Sequence, residues 1–537
     1  MISSAEKKEI LIQTGNQLLD PNTGFSAAWL AVQYLFDHIR KKPENTAPAT
    51  IKSLLHLISS ERFTGKKQAF FLYREAVCAL TFLAENSDRP MSEFIIMKIR
   101  QILMDSGGPR HRAVSEGLGT LPLKISGPEP ASAESSDIIH IKFNLLSEIL
   151  KIQDISSYTW HGRTLVFQTA CQNGKRLACI KFAKAKTDAP KLAKEIQWQR
   201  FLHDNPPCAG SAFKIPEPFS AGNRMIFILD DLPDNIRKGH CHLADSPAMI
   251  YLADTQYFDY PNDFSLFREN TEYLRHVFAD NAWISGRLAS LGIVHTAIIP
   301  LFHNRVQQNR RQDRGIYLWE HGGRLDRWLE SSQYPNFACS GLRDFEHLIS
   351  VKDSSCLRHH MGEHILGFIL VAGSFFRNKA PEKKGFDSDG LALDVRYLFE
   401  KPLFTNLIID IIAAYYKGFT GMTLHDPEAF LTENLMDQLI DAMGVDLHME
   451  EVLRARDQHR MTEEEFKNFL ISREFDQIKI QSLQKGQKDI IVHTGPHLGG
   501  FNQAVNVPEL MDLLFRLSAL CIADRYLGEN GLKHPLN

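Results

Sequence analysis

Apolar residues recur at helical spacing through residues 1 to about 123. FSAAWLAVQYLFDHIR, TIKSLLHLISS, KKQAFFLYREAVCALTFLAE and MSEFIIMKIRQILMD each carry an apolar stripe with the helical period, divided by short polar turns. Amphipathic helices are therefore predicted across 1–123. ISGPEPASAESSD follows, rich in Ser, Pro, Ala and Gly and without apolar periodicity, so 124–137 reads as a linker. Beyond it the period falls to two. TLVFQTA (164–170) and KRLACIKFA (175–183) read as strands, with Asn173-Gly174 placed for a hairpin turn. APKLAKEIQWQRFLHD predicts a helix and RMIFILDD another strand. From about 265 onward the pattern is mostly helical, broken by the Gly-rich HTGPHLGGFNQ at 493–503, and the last helix, VPELMDLLFRLSALCIADRYL, reads as amphipathic and opens with Pro508 near its start.

These patterns predict an α+β protein. REAVCALTFLA and HRAVSEGLGTLP echo each other, with Leu80 and Leu118 in register at a period of 38, a spacing similar to that of HEAT-type helical repeats. Such a stack offers a protein-binding face. Composition narrows the class further. The net charge is −3, from 61 basic and 64 acidic side chains, which calls for neither nucleic acid nor an anionic membrane as a bulk partner. The eight cysteines include no C-x-x-C pair, and Cys78, Cys179 and Cys521 sit in apolar runs, as small core residues of a reduced compartment do. No N-terminal run has the length of a secretory apolar region. HILGFILVAGSFF is too short for a bilayer, which needs about 20 residues. A cytoplasmic location is expected; secretion as an effector without a cleavable signal would leave no mark in such a sequence.

The chemistry begins at Ala178-Cys179-Ile180-Lys181. In protein kinases a V-A-I-K strand supplies the Lys that meets ATP, and a Glu on the next helix holds it. Glu195 lies fourteen residues after Lys181 on the predicted helix. Phosphate charge needs a fixed ammonium, and the Glu keeps it fixed. Strand, turn, strand, helix and strand follow the order of a kinase N-terminal lobe, and the helices after 265 suit a C-terminal lobe. YPNFACSGLRDFEHL then supplies Asn336 and Asp344, oxygen ligands for a hard cation such as Mg²⁺. The D-F-G glycine is replaced by Glu346, no His-Arg-Asp triplet occurs, Asp326 is outside the kinase spacing, and no G-x-G-x-x-G precedes Lys181, where TWHGRTLVF offers one Gly beside Arg163. Any single Asn or Asp here also reads as a cap or turn residue. His295, after LGIV, and Arg324, after Gly-Gly, can reach a pocket. Asn502 is the most useful side chain of the 493–503 loop, which otherwise reads as a tight interhelical turn.

Together these residues resemble the SidJ-type pseudokinases, a kinase-fold family of protein glutamylases. Lys181 and Glu195 resemble that family's Lys–Glu pair, His295 in VHT and Arg324 in GGRLDR resemble groups of its second nucleotide site, and Tyr334-Pro335-Asn336 and Asp344 resemble its Tyr-x-Asn and metal-binding Asp. A further family acid falls at His347, with Glu346 the nearest carboxylate. The resemblance runs from about 160 to 350, and over 400–537 by texture. It implies a kinase-like bilobal domain over 138–400, with 401–537 as its helical C-terminal part or a small extra domain; the HEAT-like helical domain over 1–123 rests on the helical repeat alone and has no match in the family. The resemblance also implies ATP and Mg²⁺ as cofactors, a protein substrate, free glutamate as co-substrate and an activating protein bound by one of the helical regions. The reaction it implies joins glutamate to a target carboxylate through an acyl-adenylate. Lys181 and Arg163 would neutralise phosphate charge, Asn336 and Asp344 would hold Mg²⁺, and His295, Arg324 and Tyr334 would receive the adenylated intermediate.

Other readings stay open. A nucleotide-binding scaffold or an AMPylating enzyme would carry the same residues. His360-Met361-Gly362-Glu363-His364 matches H-x-x-E-H, the inverted zincin motif, with Glu428 as a third-ligand guess. GHCH at 239–242 reads as a loop. IQSLQKGQK at 480–488 has the Ile-Gln and Lys-Gly of a calmodulin-binding IQ segment without its final base.

Overall fold

The apolar stripes of the first part of the chain fold as six helices: α1 (Ser4–Leu19), α2 (Phe25–Lys41), α3 (Pro48–Ser59), α4 (Ala69–Glu85), α5 (Arg89–Asp105) and α6 (Pro109–Leu118). In this computed structural model the described residues are 4–299, 332–379, 401–440, 458–472 and 508–531, with short breaks inside them, the longest at 131–137 and 208–213. After the 131–137 break come β1 (Ile139–Lys142), α7 (Phe143–Ile149), β2 (Tyr158–His161), β3 (Thr164–Cys171), β4 (Gly174–Phe182) and α8 (Ala189–Asp204). β5 (Glu217–Pro218), β6 (Ile226–Asp230), the short α9 (Asp234–Arg237) and β7 (Ala248–Ala253) follow. Next are the short α10 (Phe264–Phe267), α11 (Thr271–Ser290), β8 (Ile293–His295), β9 (Phe337–Ala338), β10 (Gly341–Leu342) and β11 (Leu348–Ser350). The chain then turns helical: α12 (Ser354–Lys379), α13 (Lys401–Thr420), α14 (Glu463–Ser472) and α15 (Pro508–Glu529).

The molecule is thus a mixed α and β structure. Seven strands form one mixed sheet in the order β1-β6-β7-β4-β3-β2, with β5 on β7. β3 and β4 pair antiparallel from Thr164–Lys181 to Cys171–Gly174, so the hairpin expected from CQNG is present. Period-two alternation sorts β4 onto two faces. Ala178, Ile180 and Phe182 enter one apolar layer with Phe143 and Leu146 of α7. Cys179 and Ala183 enter another with Leu192 and Ile196 of α8. Lys181 belongs to this second set, which is why a charged residue on a central strand points at α8.

A third apolar core runs without interruption from Leu11 through Leu121 and on through α11, α12, α13 and α15. Leu80 and Leu118, the two leucines of the sequence echo, are both fully buried in it. α15 packs on α5 and α6, so the first helices and the last share one interior. Helices α11 and α13 cross at Gly286 and Gly418. A Cβ at Gly286 would overlap the Tyr415 carbonyl oxygen, and one at Gly418 the Trp283 carbonyl oxygen. Backbone atoms cannot step aside alone, so Gly286→Ala should force the helices apart and lower stability by about 1–3 kcal/mol. Gly362→Ala on α12, where a Cβ meets nothing within 4 Å, should instead be neutral or add up to about 1 kcal/mol of helix propensity. Urea midpoints of the two variants check the contrast.

Candidate functional site

The site is assembled from β4, α8 and the turn after β10. Leu192, Glu195, Ile196 and Gln199 share the buried face of α8, and Glu195 meets Lys181 there. The Lys181 ammonium donates to both Glu195 oxygens, at 2.8 and 2.7 Å, and to Asp344 Oδ1 at 2.7 Å. Lys181 and Glu195 are almost wholly enclosed, whereas Asp344 keeps 36% of its side chain open. Burial pushes the Glu195 carboxyl up to about 7, against the pull of Lys181. Burial also raises Asp344, but the Lys181 ammonium and Arg343 guanidinium override it and hold that carboxyl well below the usual range. Asp344 is thus a fixed anion at any ordinary pH.

Two short strands explain the spacing of Asn336 and Asp344. β9 and β10 pair as a tight hairpin, and Arg343 N–H donates to the Asn336 carbonyl at 2.8 Å across its base. Asn281, buried on α11, donates to the Ala338 carbonyl at 3.0 Å and pins the hairpin from below. The Asn336 amide nitrogen donates to the Ala297 carbonyl at 2.6 Å, leaving Oδ1 as its ligand-type atom. Asp344 follows in the left-handed region, φ 48° and ψ 58°, which Asp tolerates better than most residues. This turns its carboxylate back onto Lys181.

Arg163 stands at the edge of the same centre. Its guanidinium donates to Glu346 Oε1 at 3.3 Å and to the Phe182 carbonyl at 3.4 Å. Glu346 Oε2 and Arg343 Nη1, both buried, have no hydrogen-bond partner. Orphaned polar atoms of opposite sign beside a shared ammonium suit a charged ligand that brings both phosphate oxygens and a cation. Arg343 escaped the sequence reading because only the turn brings it to this centre, whereas Glu346 was visible as the carboxylate nearest the position of a further family acid.

His295 is placed differently from the expectation of a ligand-facing group. On β8 it is buried, its Nε2 donates to the Arg343 carbonyl at 2.9 Å, and its Nδ1 accepts from Ala297 N–H at 3.3 Å. Burial holds it down to about 3. Both nitrogens are taken by backbone, so the neutral ring braces the Arg343–Asp344 turn. Tyr334 is 65% exposed and meets Tyr260 edge-on, with centroids 6.3 Å apart. Arg324 and Asn502 lie outside the described residues, as do Cys241, His242 and the 480–488 segment.

The H-x-x-E-H segment lies on α12 but is turned to packing. His364 Nε2 donates to the His295 carbonyl at 2.9 Å and its Nδ1 accepts from the Tyr415 hydroxyl at 3.1 Å. His360 pairs with Glu363 at 2.9 Å, and Glu428 is exposed. With both His364 nitrogens engaged, the zincin reading is short of a ligand. Among the described residues no group of three or more His, Cys, Asp and Glu can hold a metal ion. No described helix is long and apolar enough to cross a membrane.

The class defined so far is a mixed α and β protein with a buried Lys–Glu–Asp ionic centre at a sheet–helix junction. No protein-family model matches the chain. Over 296 residues it is 24% identical to the calmodulin-dependent glutamylase SidJ of Legionella pneumophila, a stretch covering 52% of this chain and 32% of that protein. The chain thus spans about a third of the length of the curated relative it matches, and the similarity is that of a distant SidJ-like relationship.

Proposed function

We propose that the chain is an ATP- and Mg²⁺-dependent, kinase-like enzyme that glutamylates a carboxylate on a target protein. The observation that carries this reading is the buried Lys181 ammonium shared by Glu195 and Asp344, in a chain distantly related to a glutamylase. Lys181 and Arg163 neutralise the phosphates of ATP, and Glu195 keeps the ammonium in place. Asn336 Oδ1 and Asp344 are the groups that would hold Mg²⁺, which when bound offsets phosphate charge. A target carboxylate attacks the α-phosphorus and pyrophosphate leaves. The neutral amine of glutamate then attacks the acyl carbon, AMP departs with the C–O electron pair, and the nitrogen gives up one proton to solvent as the amide forms. A carboxylate is already ionised at neutral pH, so the first step needs no base, which accommodates the missing His-Arg-Asp triplet. His295 sets the Asp344 turn, and Tyr334 offers an exposed ring to the adenylate. In this reading 138–400 is the bilobal kinase-like domain and 401–537 its helical C-terminal part or a small extra domain, while 1–123 is a HEAT-like stack that docks a protein partner.

The test uses purified protein, ATP labelled on the α-phosphate, Mg²⁺ and each amino acid in turn, with lysate to supply target and activator. Label released as AMP only with glutamate, and lost in Asp344→Ala, is the expected outcome. Label kept on a protein as AMP would replace the reading with AMPylation. ATP binding without turnover would leave a nucleotide-binding scaffold.

A further inference from the structure

The first two turns of α12 carry a group of reactive side chains to which the proposed reaction gives no task. Cys356, His360 and Glu363 recur at helical spacing and so line one stripe of the helix. Glu363 Oε2 lies 2.9 Å from His360 Nδ1. The Cys356 thiol is the ring's other side-chain hydrogen-bond partner. Thiol, imidazole and carboxylate thus stand in series, the order of a nucleophile, its base and the group that orients the base. Asp353 fixes the backbone beneath the thiol, where Cys356 N–H donates to its Oδ1 at 2.7 Å.

Burial grades the series. Cys356 is exposed, whereas the His360 and Glu363 side chains are each 4% exposed. Burial alone would lower the His360 pKa, but its contacts with Cys356 and Glu363 hold it up to about 9. The ring is therefore a cation at neutral pH, with one N–H for the carboxylate and one for sulfur. The other described cysteines differ. Cys179 and Cys521 are buried and Cys78 and Cys339 half-buried. Burial pushes all four thiols up, Cys339 to about 12. The thiolate is the nucleophilic form of a cysteine, and a neighbouring imidazolium favours it whereas an apolar surround does not.

We propose that Cys356 is a covalent modification site that exchanges with a low-molecular-weight disulfide, with His360 as its acid–base partner and Glu363 as the positioning residue. The Cys356 sulfur attacks one sulfur of the disulfide, the S–S bond breaks, and the departing sulfur leaves with the electron pair. His360 hands it the one proton that the Cys356–His360 pair shares. A thiol departs and a mixed disulfide stays on Cys356. One disulfide is consumed and one is formed, so the step needs no further oxidant. The inference stands apart from the nucleotide-binding reading and does not fail with it.

The full chain, reduced and then mixed with oxidised glutathione at neutral pH, tests it, with the rate at each cysteine read from peptide masses. Cys356 should exchange about tenfold faster than Cys78 or Cys339, and about tenfold faster than the same residue in the urea-unfolded chain. His360→Gln should slow Cys356 about tenfold to a hundredfold. Glu363→Gln should slow it less, because the amide oxygen still accepts from the ring. Cys179 and Cys521 should stay unreactive in both variants, which a loosened helix would not allow. Cys356 exchanging no faster in the folded chain than in the unfolded one, or at the wild-type rate in His360→Gln, overturns the proposal, since exposure alone then accounts for its reaction. If His360→Gln also opens Cys179 and Cys521, Glu363→Gln decides, and an unchanged Cys356 rate there overturns the proposal.

Discussion

Lys181→Met should remove glutamate-dependent AMP release by a factor on the order of 10²–10³, the usual cost of losing one fixed charge aimed at a reacting phosphate. It should also destabilise the protein. The Lys181 ammonium is the shared partner of both Glu195 oxygens and of Asp344 Oδ1. Without it Glu195, 1% exposed, is left as an uncompensated buried acid, a loss that typically costs about 3–5 kcal/mol. Asp344 adds little, since water reaches its open edge and screens it. The double variant Lys181→Met/Glu195→Gln separates the two roles. Removing the stranded charge should restore much of the urea midpoint, yet turnover should stay at the level of the single variant. AMP release near the wild-type rate in Lys181→Met would exclude the proposed chemistry whatever the stability result.

Lys181 and Glu195 were legible because each obeys a local period. Alternation on β4 puts Lys181 with Cys179 and Ala183, and the helical repeat puts Glu195 beside Leu192 and Ile196, so the two faces meet. Asn336 and Asp344 were legible as a spaced pair, although the backbone between them is a hairpin of two-residue strands that no propensity announces. Arg343 and the Tyr257, Phe258 and Tyr260 rings were not legible. They join across more than eighty residues of chain through irregular segments, where neither period applies. His295 and His364 show the opposite failure. Their polar letters suggested ligands, but hydrogen bonds to backbone and to Tyr415 take up their nitrogens, and partners of that kind are invisible to a motif. The last helix was expected to be amphipathic. In the structure α15 is enclosed along most of its length, from Leu510 to Leu527, because it lies between the first helices and α12 and α13.

That enclosure gives Asp524 its importance, and Arg100→Met should be among the most destabilising substitutions in the chain. Asp524 is fully buried on α15. Arg100 on α5 donates to it from Nε at 2.6 Å and from Nη2 at 3.2 Å, and the Tyr416 hydroxyl of α13 donates at 2.7 Å. Three helices, one of them from the first hundred residues, thus converge on one carboxylate. Methionine fills much of the arginine's volume but removes the countercharge, so a loss of about 3–5 kcal/mol is expected. Asp524→Asn should cost less, because the amide still accepts one bond and Arg100 keeps 14% exposure to water. The double variant Arg100→Met/Asp524→Asn should then be more stable than Arg100→Met alone, the sign that identifies a stranded charge as the cause. Trp29 is the one tryptophan before residue 124, and in a protein lacking the other five its fluorescence would report the first helices. Its urea transition should move with that of the whole chain in wild type and fall below it in Arg100→Met, since the Arg100–Asp524 ion pair ties α5 to α13 and α15. A shift in Arg100→Met no larger than that of an exposed ion pair, under about 1 kcal/mol, would mean that Asp524 is not held as a buried anion and that apolar packing alone joins the two parts.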